Sequence, residues 1–242
     1  MKHKKLKIAL LITLALILVC VAVFFIYVNI YYEADWNSID KLKYDGFTVK
    51  EIEDGTSAFV PQGEHKRGVV FYPGGKVERD AYIPLMRAIA SRGVLCILVD
   101  MPFNLAVFDI DRADGVCDSF GYIEHWYMAG HSLGGSMACS YVVDNLDKFE
   151  GVILLAAYST ENLKDTSLRV LSIYGSADNV LNKESYVENR ANLPNYFSEF
   201  IIEGGNHAYF GTYGEQDGDG KATITNKEQI DITAEQIERF VK

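Results

Sequence analysis

The stretch Ala129-Gly130-His131-Ser132-Leu133-Gly134-Gly135-Ser136 is the part of the chain best suited to chemistry. A short apolar run, Tyr127–Ala129, precedes it, and a helical pattern, Leu133–Leu146, follows. In Gly130-His131-Ser132-Leu133-Gly134 the serine stands on a sharp strand-to-helix turn, a nucleophile elbow, with its hydroxyl clear of the sheet edge. Side chains two residues before and after it would collide, which accounts for Gly130 and Gly134. The N–H groups of the helix start then face the negative charge that builds on an attacked carbonyl oxygen. The bland alternative is a glycine-rich turn with an ordinary capping serine. The strand before and the helix after favour the nucleophile.

A serine hydroxyl needs a base, and an acid to orient that base. In this strand–turn–helix arrangement the partners follow in the order serine, acid, histidine. His207 is the one histidine after Ser132, in Glu203-Gly204-Gly205-Asn206-His207-Ala208, just past an apolar run. His3 lies in the leader, His65 in a polar loop, His131 is the variable residue of the elbow, and His125 lies ahead of the elbow strand, at the wrong end of a sheet. The acid has more candidates. Asp178, in Tyr174-Gly175-Ser176-Ala177-Asp178-Asn179, follows the next strand but one and so shares the serine's sheet edge; Glu203 is the runner-up. An oxyanion hole needs two backbone amides. Leu133 supplies one, and the loop Tyr72-Pro73-Gly74-Gly75-Lys76 the other, with Lys76 favoured and Gly75 the alternate.

The elements that must position these groups alternate. Thr48–Ile52 and Thr56–Val60 read as edge strands around Asp54-Gly55. Gly68–Tyr72, Val94–Val99, Gly151–Ala157, Arg169–Tyr174 and Tyr196–Ile202 read as strands; Asp80–Arg92, Lys183–Asn192 and Lys227–Val241 read as helices. Apolar runs without polar alternation, separated by helices, specify a mostly parallel, doubly wound sheet covered on both faces. About a dozen residues separate Ala157 from Arg169, too few for a cap domain. The site is therefore expected to be open, with aromatic residues Phe103, Phe108, Tyr158, Tyr209, Phe210 and Tyr213 in rim loops.

Together these residues resemble the alpha/beta-hydrolase superfamily. More narrowly, they resemble its small lidless branch related to dienelactone hydrolase, alpha/beta hydrolase family 5. The resemblance spans roughly residues 45–242 and rests on four stretches: Phe71-Tyr72-Pro73-Gly74-Gly75-Lys76-Val77-Glu78, Met101-Pro102-Phe103-Asn104-Leu105-Ala106, the elbow, and Gly204-Gly205-Asn206-His207-Ala208 with Phe210-Gly211 and Gly218-Asp219-Gly220. It implies a serine hydrolase whose triad is Ser132, Asp178 and His207. Dienelactone hydrolase itself uses a cysteine where this chain has Ser132, so its substrate does not carry over. The expected activity is hydrolysis of a small-molecule acyl ester; thioester, amide or acyl-transfer chemistry runs on the same triad. A non-catalytic binding module would have lost a triad position, and all three are filled.

The 242 residues carry 23 Lys+Arg and 33 Asp+Glu, a formal charge of −10. Lys2, Lys4, Lys5 and Lys7 precede every acid, leaving 19 basic against 33 acidic residues beyond them, or −14. So acidic a body excludes a nucleic-acid partner. No dinucleotide or phosphate-loop glycine pattern follows the first core strand, and no cofactor is expected. Asp217-Gly218-Asp219-Gly220-Lys221 is read as a solvated turn, and no metal is expected. Cys117 and Cys139 are a conceivable disulfide in an oxidising compartment.

Ile8 to Tyr32 holds no charged residue. About 20 such residues span a bilayer core. The run is too long for a cleaved signal peptide. Residues 1–32 are expected to be a basic tip and transmembrane signal anchor, 33–45 a short linker, and 46–242 the catalytic domain. The basic tip would stay in the cytoplasm. The catalytic domain would then lie outside a single-pass cell-membrane protein.

Overall fold

A computed structural model describes residues 2–242. They form two units, Met1–Tyr31 and Tyr32–Lys242. The first is one helix, α1, Lys2–Val28. From Leu6 to Val23 its Leu, Ile and Val side chains are exposed on every side, while Val28 at its end is buried. Within it, Lys4–Val28 contains an 18-residue stretch of mean hydropathy 3.2 and is, among the described residues, the one helix long and apolar enough to cross a membrane.

In the second unit, β1 (Phe47–Glu51) and β2 (Ser57–Pro61) form an antiparallel hairpin. Asp54 at its turn takes the left-handed φ of 57°. Six strands complete the sheet: β3 (Arg67–Tyr72), β4 (Leu95–Leu98), β5 (His125–His131), β6 (Gly151–Leu155), β7 (Arg169–Gly175) and β8 (Phe197–Ile202). The order is β1-β2-β4-β3-β5-β6-β7-β8, parallel throughout from β4 to β8. The chain leaves β3 toward β4 on one side and returns to β5 on the other. The carboxyl ends of β3 and β5 therefore flank the switch point where such sheets bind ligands.

Alternate side chains of each strand feed two cores. Val69, Phe71, Cys96 and Ile153 pack with α3 (Ile83–Ala90) and α6 (Asn226–Val241). Val70, Tyr72, Met128 and Val152 pack with Ala138, Cys139 and Val142 of α4 (Leu133–Val143). The Thr225–Glu228 capping box starts α6, and the Asn182 side chain caps α5 (Lys183–Asn189). Residues 156–168, between β6 and β7, hold no helix or strand, so no cap is present.

One stretch departs from expectation. Residues 33–45, read as a linker, belong to the second unit and pack against its body. The Tyr32 N–H donates to the Lys76 carbonyl, Ala34 N–H to the Glu78 carboxylate, and Asp35 N–H to the Thr212 carbonyl. The short helix α2 (Trp36–Ile39) buries Ile39 completely. The β4–β5 connection holds only 3-10 turns. The Tyr72 hydroxyl pins it, donating to Ile110 O and accepting from Ala113 N–H.

Candidate active site

Ser132 sits between the end of β5 and the start of α4 with φ 51° and ψ −123°. Backbone this strained costs on the order of 1–3 kcal/mol and needs support. The Ser132 N–H donates to Leu155 O, and its carbonyl accepts from Gly135 N–H. The glycines make the turn possible. A β-carbon on Gly130 would stand 2.5 Å from the Gly134 backbone, and one on Gly134 2.2 Å from the Pro73 carbonyl.

His207 follows the turn after β8 and is 1% exposed. Its Nδ1 lies 2.9 Å from Asp178 Oδ2. Asp178, on the loop after β7, is fully buried. Its other oxygen, Oδ1, accepts the Val180 and Leu181 N–H groups at 2.9 and 2.8 Å. With Nδ1–H donating to the carboxylate, Nε2 is left as the basic nitrogen. Glu203, the runner-up acid, is exposed. Ser132, Leu133 and His207 line one cleft of about 260 Å3 with Ala156, Ala157, Tyr158, Val180 and Leu181. Two other histidines lie apart: His125 pairs with Glu150 at the opposite end of β5, and His65 with Tyr122.

The loop after β3 brings one correction. The Lys76 N–H, favoured as second donor, is bonded to the Asn104 carbonyl at 2.7 Å. It cannot serve a substrate oxygen as well. The Gly75 amide has no protein acceptor among the described residues, nor has that of Leu133, whose place at the helix start leaves it unbonded. Gly75 is also the residue against Leu133: a β-carbon there would meet Leu133 Cδ2 at 2.8 Å and Cβ at 3.2 Å.

The model of the alpha/beta hydrolase family matches residues 68–231, which include the elbow, Asp178 and His207. The chain belongs to the alpha/beta hydrolase family. Two solved structures share the fold. A protein described as a CIB-like hydrolase from Thermoplasma acidophilum is 17% identical with a TM-score of 0.55, over 80% of this chain and 100% of its own. Est1E from Butyrivibrio proteoclasticus is 14% identical with a TM-score of 0.58, over 81% of this chain and 97% of its own. No curated protein matches the sequence.

This alpha/beta hydrolase braces the Asp178 and His207 loops with a segment read as a solvated turn. Asp219 Oδ2 accepts the Ala208 N–H, beside His207; Oδ1 accepts those of Asn179, beside Asp178, and Gly220. A β-carbon on Gly220 would stand 1.7 Å from the Ala177 carbonyl, so the segment lies directly on the Asp178 loop. Behind it, buried Gln229 bonds both the N–H and the carbonyl of Asn206. Asp219→Ala strips three amides of their acceptor. It is expected to lower kcat about tenfold with little change in KM, and stability by about 1–3 kcal/mol, read from ester kinetics and urea unfolding.

The predicted aromatic rim divides. Tyr158 lines the cleft with Ser132, and Tyr209 lines a neighbouring cavity with Asn206 and Asp219. Phe210 and Tyr213 are buried, while Phe103 and Phe108 form an exposed edge-to-face pair. Among the described residues no three His, Cys, Asp or Glu side chains gather as a metal set. Cys117 and Cys139 are free thiols; burial pushes each up to about 12.

His131 is buried, and burial holds its pKa well below the ordinary 6.5; the His207 charge lowers it further, and a contact with the His207 backbone acts the other way. The unfolded chain therefore binds a proton below pH 6.5 that the folded chain refuses. Stability from this ring is complete above pH 6.5 and is lost as the pH falls. The slope is up to about 1.4 kcal/mol per pH unit until the buried ring itself titrates. Urea unfolding between pH 7.5 and 5 should show this acid-side loss, and His131→Asn should make the dependence shallower.

Proposed function

We propose that this chain is a serine hydrolase that cleaves carboxylic esters of small acyl groups through an acyl-enzyme. The observation that carries the reading is the buried Asp178–His207 pair opening onto the cleft that Ser132 also lines. Ser132 Oγ attacks the ester carbonyl while His207 Nε2 takes its proton. Asp178 holds the ring in that tautomer and stabilises the imidazolium. The Leu133 and Gly75 amides receive the oxyanion. The tetrahedral intermediate collapses, His207 returns the proton to the leaving alkoxide, and the alcohol departs. Water, deprotonated by His207, then attacks the acyl-Ser132 carbonyl. The carboxylic acid leaves and Ser132 recovers its proton.

Substrate size follows from the lining. Ala156 and Ala157 put short side chains beside Ser132, and Val180 and Leu181 supply an apolar wall. No cap covers the cleft to enclose a long chain. p-Nitrophenyl esters of graded acyl length should give their highest kcat/KM at two to four carbons and fall beyond, by about tenfold for each 1.4 kcal/mol of lost fit. A rate that rises steadily to long acyl chains would contradict the open-cleft reading.

The helix α1 supports the second half of the proposal: a single-pass membrane anchor with Lys2, Lys4, Lys5 and Lys7 on the cytoplasmic side. Protease added to intact cells should then remove the catalytic domain. Protection of the domain until the cells are lysed would contradict this orientation.

A further inference from the structure

Tyr82 and His131 are both buried, and neither lines the cleft. They are nevertheless joined to its working parts. The Tyr82 hydroxyl lies 3.0 Å from the Gly74 amide and 2.8 Å from His131 Nδ1. The amide can only donate, so the hydroxyl accepts from Gly74. The arrangement that also uses the hydroxyl's single proton donates it to Nδ1, with the His131 proton on Nε2.

Each end of this bridge adjoins a reacting group. Gly74 precedes Gly75, whose amide is the second oxyanion donor under the reading above. His131 precedes Ser132, and its ring centroid lies 4.5 Å from that of His207 and 5.5 Å from Phe210. The close fit needs a bare glycine: a β-carbon on Gly74 would stand 2.6 Å from the Tyr82 hydroxyl and 2.7 Å from Nδ1. Packing alone does not account for a histidine here. Its Nε2 is buried with no hydrogen-bond partner of normal geometry among the described residues, a penalty that an apolar side chain avoids. Nδ1 is the ring nitrogen that makes a hydrogen bond of normal geometry, and an apolar residue lacks it.

We propose that Tyr82 and His131 are positioning residues: one hydroxyl ties the oxyanion loop to the elbow, and the His131 ring backs His207, so that amide, nucleophile and base keep one register. The inference rests on the serine-hydrolase reading and extends it to two residues that touch no substrate. Catalytic alignment is sensitive to displacements well under an ångström, whereas ground-state binding in an open cleft is not.

Tyr82→Phe keeps the ring and removes the tie. It should lower kcat on p-nitrophenyl acetate by about 10- to 100-fold and leave KM within about twofold. The rate of fluorophosphonate labelling should fall in parallel. His131→Leu should lose a comparable factor. The double variant should be no worse than the poorer single one, because both remove the same bond. His131→Asn, which can place an acceptor oxygen where Nδ1 stood, should recover part of the loss relative to His131→Leu. If Tyr82→Phe does not fold, the two His131 variants carry the test. A folded Tyr82→Phe with wild-type kcat, or losses that simply multiply in the double variant, would overturn the pair's role and leave the serine reading standing. A wild type that neither labels nor turns over ester would overturn both.

Discussion

Ser132→Ala is expected to lower kcat on a p-nitrophenyl ester by a factor on the order of 10^5 to 10^6, with KM little changed. The magnitude follows from what each remaining group can do alone. Without Oγ there is no acyl-enzyme, so His207 and the amides of Leu133 and Gly75 can act only on a water molecule that nothing holds in place. The residual rate would report that oxyanion hole. The fold should survive. Ser132 takes its strained φ of 51° from the glycine contacts and the Ser132–Leu155 backbone hydrogen bond, none of which involves the hydroxyl. An alanine in this left-handed backbone is destabilised to a similar extent. Stopped-flow and steady-state kinetics on folded variant check the prediction. A loss of less than about tenfold would place the nucleophile elsewhere.

Asp178→Asn should cost about 10^4-fold in kcat, and the surroundings of Asp178 give the reason. Oδ1 accepts two backbone N–H groups, from Val180 and Leu181. Those donors would hold the carbonyl oxygen of an asparagine and turn its NH2 group toward His207. An N–H facing Nδ1 forces that nitrogen to accept, which moves the ring proton to Nε2. The base then has no lone pair for the Ser132 proton. The substitution changes the tautomer with nearly the same atoms in place, so KM should stay within a few-fold. Crystals of the variant should superpose on the parent. Retention of more than a tenth of the wild-type kcat would mean that Asp178 does not orient the base.

The parts of this fold legible in sequence are those written in local pattern. The continuous apolar runs of β3, β5, β6 and β7 announced a buried parallel sheet, and their ends fell within a few residues of the observed ones. The Gly130-His131-Ser132-Leu133-Gly134 spacing placed a strand-to-helix turn, and chain order paired Asp178 with His207, whose side chains meet at 2.9 Å. What was misread depends on contacts distant in sequence. Lys76 lost its place as oxyanion donor because Phe103 and Asn104, both with left-handed φ, deliver the Asn104 carbonyl to its amide from the β4–β5 connection. Asp219 looked like a solvated acid because its partners, Asn179 and Ala208, are remote or across a turn. The segment 33–45 is polar enough to read as a linker. Only the spacing of Ile39 and Leu42, both buried, marked it as part of the packed body. His131 entered the sequence reading as the variable residue of the elbow, since nothing local indicates that Tyr82 will reach it.

The central claim is that Ser132 is the nucleophile, activated by His207. The most direct measurement is to incubate the full-length protein with a fluorophosphonate ester, digest it, and locate the adduct by peptide mass. A single phosphonyl group on Ser132, absent from Ser132→Ala and formed at least about 10^3-fold more slowly in His207→Ala, is the predicted result. An adduct on another residue of the folded protein, or none at all, would contradict it.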